Sequence, residues 1–240
     1  MRLVVARDAP HLAELAAALF RDRVLARPAL AMAVPAGRTP RRMYRLLETL
    51  QATAPVDYSR MSVFSVDELC PPALPDGYFW GQVRAEFLRW AGVPAERCHP
   101  FAVDAADLDA MCAEYERAIA VAGGLDLVML GLGPNGHIAS NEPSADFDSR
   151  TRPVRLLAST VDYILTDEAT LGAGCDRAVT LGVATILDAR EVVVLVSGAG
   201  KRAPLGRMLD GEVTPQLPAS ALRAHPACTV LADREARPDW

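Results

Sequence analysis

The stretch Leu125 to Pro143, LDLVMLGLGPNGHIASNEP, constrains this chain more than any other. It opens on an apolar run, Leu125 to Leu130, interrupted only by Asp126, of the length expected for a strand buried in a parallel sheet. Glycines at 131, 133 and 136 then let the backbone turn tightly and leave room for a ligand against the main chain. Asn135, His137, Asn141 and Glu142 follow at once. A strand that ends in glycines and then offers an imidazole and a carboxylate puts chemistry outside the carboxyl ends of the strands. Open α/β sheets bind their ligands there.

The spacing Gly131-x-Gly133-x-x-Gly136 formally matches a dinucleotide-binding fingerprint, but the fingerprint needs a helix opening at the third glycine. Pro143 follows within seven residues of Gly136, and the continuation SADFDSRTR has no apolar helical period. A dinucleotide site is therefore not expected. Nor is zinc, because no cysteine pair stands nearby and the spacing is not that of a metal-binding helix. His137 read by itself would be a structural histidine capping the turn. The glycine turn before it and Glu142 five residues on favour a chemical role.

Strands and helices alternate along all 240 residues with no repeat, linker or low-complexity tract. The pattern predicts one α/β domain over 1–240, a single-domain three-layer α/β/α sandwich around a mainly parallel, Rossmann-like sheet. A net charge of −5 argues against a general nucleic-acid binder and leaves room for a local basic pocket. The five cysteines are odd in number and form no CxxC pair, which fits a reducing, cytoplasmic setting. No apolar run approaches the length of a membrane span, and no leader pattern opens the chain.

Four other places border the candidate site. A short strand over 29–34 runs into Pro35-Ala36-Gly37-Arg38-Thr39-Pro40, and a helical period resumes over 41–50, with Thr39 suited to the N-cap and Pro40 to the first helical position. A strand, a glycine loop and a helix start make a natural anion cradle, although the same residues also suit a plain connecting turn. Met61 to Val66 reads as a strand terminated by Asp67-Glu68. Adjacent carboxylates point to opposite sides, so at most one faces a cleft. Glu191 to Val196 is an apolar strand that delivers Lys201 at a strand-to-helix turn, where a lysine can neutralise a phosphate or simply lie exposed. Residues 144–176 are polar and irregular, as a lid or binding loop would be.

The segment GLGPNGHIASNEP resembles the signature of the glucosamine-6-phosphate deaminase/isomerase family, in a superfamily shared with the 6-phosphogluconolactonases. Lactonases share the GxGxxGH core but usually continue Thr-Ala-Ser-Leu-Phe-Pro, whereas Asn141-Glu142-Pro143 is the deaminase form. The resemblance spans residues 28–232 in matching order, through FSVDEL, TLGVATILDAREV, the Lys201 turn and ALRAHP. It departs at Asn135, where many relatives carry Asp, and in the segment before TLGVATIL, which lacks the family's phosphate-binding Arg.

The resemblance implies conversion of an amino-sugar 6-phosphate to a ketose 6-phosphate with loss of ammonia. The substrate would be glucosamine 6-phosphate or its galactosamine epimer. The class words expected are hydrolase, isomerase and deaminase. His137 would serve ring opening, being the side chain that titrates nearest neutral pH. Glu142 would orient it through the second ring nitrogen, with Asn135 orienting its neighbours by hydrogen bonding. Asp67 would move the C2 proton to C1, and Gly37, Arg38, Thr39 and Lys201 would hold the phosphate. No cofactor or metal is required. The expected partner is a small sugar phosphate, with neither nucleic acid nor membrane, and assembly into a homo-oligomer stays open. A 6-phosphogluconolactonase and a non-catalytic sugar-phosphate sensor are the alternatives.

Overall fold

A computed structural model describes residues 1–70, 76–167 and 174–239. In chain order the first elements are β1 (Arg2–Ala6), α1 (Ala9–Ala26), β2 (Ala31–Val34), α2 (Arg38–Gln51), β3 (Ser62–Ser65) and β4 (Asp67–Cys70). There follow α3 (Phe79–Val83), a π-helical turn Arg84–Leu88, α4 (Arg89–Ala91), β5 (Cys98–His99), α5 (Leu108–Val121) and β6 (Leu127–Gly131). The remainder comprises β7 (Arg152–Arg155), α6 (Ala158–Ile164), β8 (Arg177–Thr180), α7 (Val183–Leu187), β9 (Glu191–Val196), α8 (Arg202–Asp210) and β10 (Cys228–Asp233). A 3-10 helix, Pro218–Ala224, precedes β10.

The main sheet has the order β1-β10-β9-β6-β2-β3-β5 and every pairing in it is parallel. Its central strands are apolar on both faces because helices cover both. Side chains alternate across a strand, so Leu127 and Met129 of β6 pack with α1 and α2 while Val128 and Leu130 pack with the α5 side. Val193 and Leu195 of β9 join the first layer, and Val192 and Val194 the second. The result is the expected three-layer sandwich.

From β2 the chain builds outward through β3 to β5, then returns to lay β6 on the other side of β2 and builds through β9 to β10. The order therefore reverses between β2 and β6. At such a point the loops leaving the two strands splay apart and open a crevice.

Three expectations need correction. Asp67 and Glu68 do not end β3; they begin β4, which pairs antiparallel with β8 in a separate β4-β8-β7 sheet. α2 begins at Arg38 rather than Pro40, with Gly37 at its N-cap, because the positive φ of 110° at Gly37 turns the chain out of β2 early. The irregular stretch 144–176 contains β7 and α6. Residues 168–173 of it lie outside the described residues.

Candidate active site

The crevice at the strand reversal holds a cavity of about 170 Å³. That is an order of magnitude more than the roughly 10–15 Å³ a single water needs, so it accommodates a small molecule. Its walls are the 35–40 loop after β2, Asp67 on β4, the turn after β6, Lys201 after β9, and α6.

The turn after β6 is shaped by two residues. A side chain at Gly133 would bring a Cβ within 2.3–2.4 Å of the His137 ring, so this glycine makes the space in which the imidazole lies. Asn141, fully buried, donates from its side chain to Ile138 O at 3.1 Å and Leu181 O at 2.8 Å. This pins the turn although Ala139 adopts a left-handed φ of 49°. The turn thereby presents His137, Ala139 and Ser140 to the cavity.

Behind His137 stands a chain of polar groups. Asn135 Oδ1 accepts from the His137 backbone N–H at 3.0 Å and lies 2.8 Å from His137 Nδ1. Asn135 Nδ2 donates to Glu142 Oε2 at 2.8 Å, and Glu142 Oε1 accepts from Leu157 N–H at 3.1 Å. The amide orientation follows from its partners, since the His137 N–H can only donate and the Glu142 carboxylate only accept. Nδ1 facing the amide oxygen must then carry the proton, which leaves Nε2 with its lone pair. Burial, reinforced by Lys201 and opposed by Glu142, pushes the imidazole well below its usual range. The resting ring is neutral, so the 3.8 Å approach of Glu142 Oε2 to Nδ1 is not an ion pair. Glu142 was expected to bond the ring directly. Instead Asn135 makes that contact and Glu142 holds Asn135.

Asp67 lines the cavity and Glu68 points away from it. Glu68 accepts backbone N–H groups of Leu69, Tyr78, Phe79 and Trp80, so it fixes the start of α3. Burial pushes the Asp67 carboxyl up to about 7; a 2.7 Å hydrogen bond from Ser140 Oγ opposes the rise, and Glu68 adds to it.

Cationic groups line the cavity as well. Gln82 clamps Gly37, accepting from its N–H at 3.0 Å and donating to its carbonyl at 3.0 Å. Gly37 therefore lines the cavity with its N–H already taken. Arg38 lies 5.4 Å from the Tyr163 ring centroid and 3.5 Å from Asp167 Oδ2, and it bonds Thr166 Oγ1. Lys201 Nζ lies 4.4 Å over the same ring. Its turn is fixed by buried Asp233, which accepts from Ser197 Oγ at 2.5 Å and from Gly198 N–H at 3.1 Å. Burial and Arg38 push the Lys201 ammonium down to about 8. Among the described residues no carboxylate pairs with it, which suits an incoming anion.

The structure thus brings Asp67, His137, Gly37, Arg38, Thr39 and Lys201 around one cavity and sets Asn135 and Glu142 in the wall behind it. Among the described residues no cluster of three or more His, Cys, Asp or Glu is placed to hold a metal. Sequence reasoning missed Ser140, Gln82, Thr160 and Tyr163. The one available signal was Ser140, a hydroxyl inside an otherwise apolar Ile-Ala-Ser turn.

Residues 6–231 match the family described as glucosamine-6-phosphate isomerases/6-phosphogluconolactonase. The chain belongs to this family. A glucosamine-6-phosphate deaminase of Halothermothrix orenii is 32% identical over 238 residues, covering 98% of each chain. One from Rhodopirellula baltica is 37% identical over 220 residues, covering 90% of this chain and 86% of its own. Among solved structures, a monomeric glucosamine-6-phosphate deaminase superposes with a TM-score of 0.92 at 30% identity, over 98% of both chains. The 6-phosphogluconolactonase of Trypanosoma cruzi, with a TM-score of 0.80 at 22% identity over 98% of this chain and 95% of its own, shares the fold. The two sequence relatives and the monomeric structure are named as deaminases, and the family as isomerases, so isomerase and deaminase stand as class words. The expected word hydrolase is corrected.

Proposed function

We propose that this protein converts glucosamine 6-phosphate to fructose 6-phosphate with release of ammonia. The observation that carries the reading is one cavity lined by Asp67, a neutral His137, Arg38 and a Lys201 that pairs with no carboxylate among the described residues. The deaminase relatives support it across the full chain.

Lys201, Arg38 and the first-turn N–H groups of Arg38 and Thr39 hold the phosphate, with Gly37 supplying the turn. Phosphate binding places the sugar carbons between acid and imidazole. His137 Nε2 takes the proton of the anomeric hydroxyl and returns it to the ring oxygen, which opens the ring. Asn135, backed by Glu142, stabilises the transient imidazolium. Asp67 then takes the C2 proton as the C–H electron pair becomes the C1=C2 bond, and the neighbouring ammonium hands a proton to the aldehyde oxygen. The same carboxyl delivers its proton to C1, leaving an iminium at C2. Water adds there and ammonia departs.

The lid expected within 144–176 we place at α6. Its Thr160 and Tyr163 line the cavity, and Asp167 just beyond it meets Arg41 at 3.0 Å. The compartment we propose is the cytoplasm, in keeping with five free cysteines. No described helix is long and apolar enough to cross a membrane.

Ammonia release from glucosamine 6-phosphate and galactosamine 6-phosphate, measured side by side, tests the proposal. Release from the first at the higher kcat/KM supports it, and silence from both by folded protein overturns it.

A further inference from the structure

Asp67 has two carboxylate oxygens and the proposed proton transfer uses one. Oδ2 receives the hydroxyl of Ser140 at 2.7 Å, the only hydrogen bond to this carboxylate among the described residues. Ser140 is itself fixed. Its N–H donates to Thr180 Oγ1 at 3.1 Å, it follows the left-handed Ala139, and the buried Asn141 clamps the turn from the other side. Ser140 is 5% exposed and lines the same cavity. Thr180 also stands directly opposite Asp67 in the β4–β8 register. One threonine thus anchors the hydroxyl donor across from the carboxylate that receives it.

We propose that Ser140 is a positioning residue for Asp67, holding Oδ2 so that Oδ1 alone takes the proton from C2 and returns it to C1. The inference rests on the reading of Asp67 as the base. A carboxylate free to rotate would offer either oxygen and lose the fixed line to two adjacent carbons, and misplacement of that kind is costly. The hydroxyl also donates to the ionised form and thereby favours it. Among the described residues, Glu68 stands beside Asp67 on β4, and the other titratable groups lining the cavity are Arg38, His137, Tyr163, Asp167 and Lys201. Arg152 of β7 is turned to Asn141 Oδ1 at 2.9 Å, and Tyr115 of α5 is engaged with Ser65 O at 3.0 Å and His99 O at 2.8 Å. Neither competes for Oδ2.

The test is the pH profile of kcat for Ser140→Ala and Ser140→Cys beside the parent. Loss of a hydrogen bond to a charged group should move the acid limb up by about one pH unit. Turnover at pH 6 then falls about tenfold, with a smaller loss at pH 9 and little change in KM. Ser140→Thr should return the limb towards the parent. An unmoved limb in folded Ser140→Ala and Ser140→Cys overturns the proposal, as does an equal loss at every pH. Asp67→Asn, run in parallel, separates the two layers. If that variant still exchanges the C2 proton with solvent, the base is wrongly assigned. If it is inactive while the serine variants match the parent, only the role of Ser140 falls.

Discussion

Asn135 Oδ1 lies 2.8 Å from His137 Nδ1 and also accepts the His137 backbone N–H, so one amide oxygen fixes both the ring and its tautomer. An aspartate here would keep an oxygen for the ring and the His137 N–H while adding a negative charge, at the cost of the donor to Glu142. With asparagine the ring carries a proton on Nδ1 and stays neutral. Asn135→Asp should therefore raise the imidazole pKa, visible as an upward shift in the titration of the His137 ring ¹⁵N resonances. Asn135→Leu removes the orienting contact altogether and should lower kcat by about 10²-fold, at the low end of general acid–base effects. An unchanged ring titration in Asn135→Asp would mean that Asn135 does not set the state of His137.

Asp67 links the site to stability. Its folded-state carboxyl is raised to about 7 by burial, above the ordinary value of 3.8. The folded protein therefore binds the extra proton between those values, and stability falls as pH rises through that window. The full penalty, present above pH 7, is about 4 kcal/mol at most. Asp67→Asn should abolish turnover while raising the melting temperature at pH 8, with the gain fading towards pH 4. Equal melting temperatures of parent and variant at pH 8 would show that the carboxyl is not held up by burial.

Much of this was legible in the sequence, and the omissions have physical causes. β6 and β9 announce themselves because strands covered on both faces must be apolar throughout. β4 does not, since Asp67 and Glu68 follow β3 after a single residue and only the third dimension shows the chain changing sheets. Within 144–176, β7 and α6 are four and seven residues long, too short for a period to rise above a polar background. The residue types of the site were visible at their strand ends. What spacing along the chain does not carry is depth. Glu142 looks like the partner of His137 until the structure places Asn135 between them, and Ser140 looks like filler until Asp67 arrives from a strand 73 residues away.

Lys201 should govern affinity more than rate. It is a point charge with no carboxylate partner among the described residues, over the Tyr163 ring. Lys201→Met should raise KM roughly ten- to a hundredfold, as expected for loss of a hydrogen bond to a charged group. Because its ammonium is held down to about 8, inhibition by inorganic phosphate should weaken in the parent as pH rises past that value. In Lys201→Met this limb should vanish. Calorimetric titration of phosphate across pH 7 to 9 measures both, and persistence of the limb in the variant would assign it to another group.

Gly133 gives the sharpest steric test, because its effect passes through one ring. A Cβ at this position would stand 2.3 Å from His137 Cε1 and 2.4 Å from Cγ and Nδ1. Those distances cannot be met without moving either the imidazole or the turn. The turn is the stiffer partner, since Gly133 N–H is bonded to His137 O at 2.9 Å and Asn141 ties the same loop to Leu181. The ring must therefore leave its contact with Asn135. Gly133→Ala should fold, bind phosphate as the parent does at Lys201, and lose about 10²-fold in kcat, the scale of a displacement near 1 Å. Since the nearest atoms to that Cβ all belong to the His137 ring and none to Asp67, the variant should still exchange the C2 proton of an open-chain aldehyde analogue that needs no ring opening. Loss of that exchange to the same degree as turnover would show that the imidazole serves the carbon proton transfer as well, and would redraw the division of labour between the two walls.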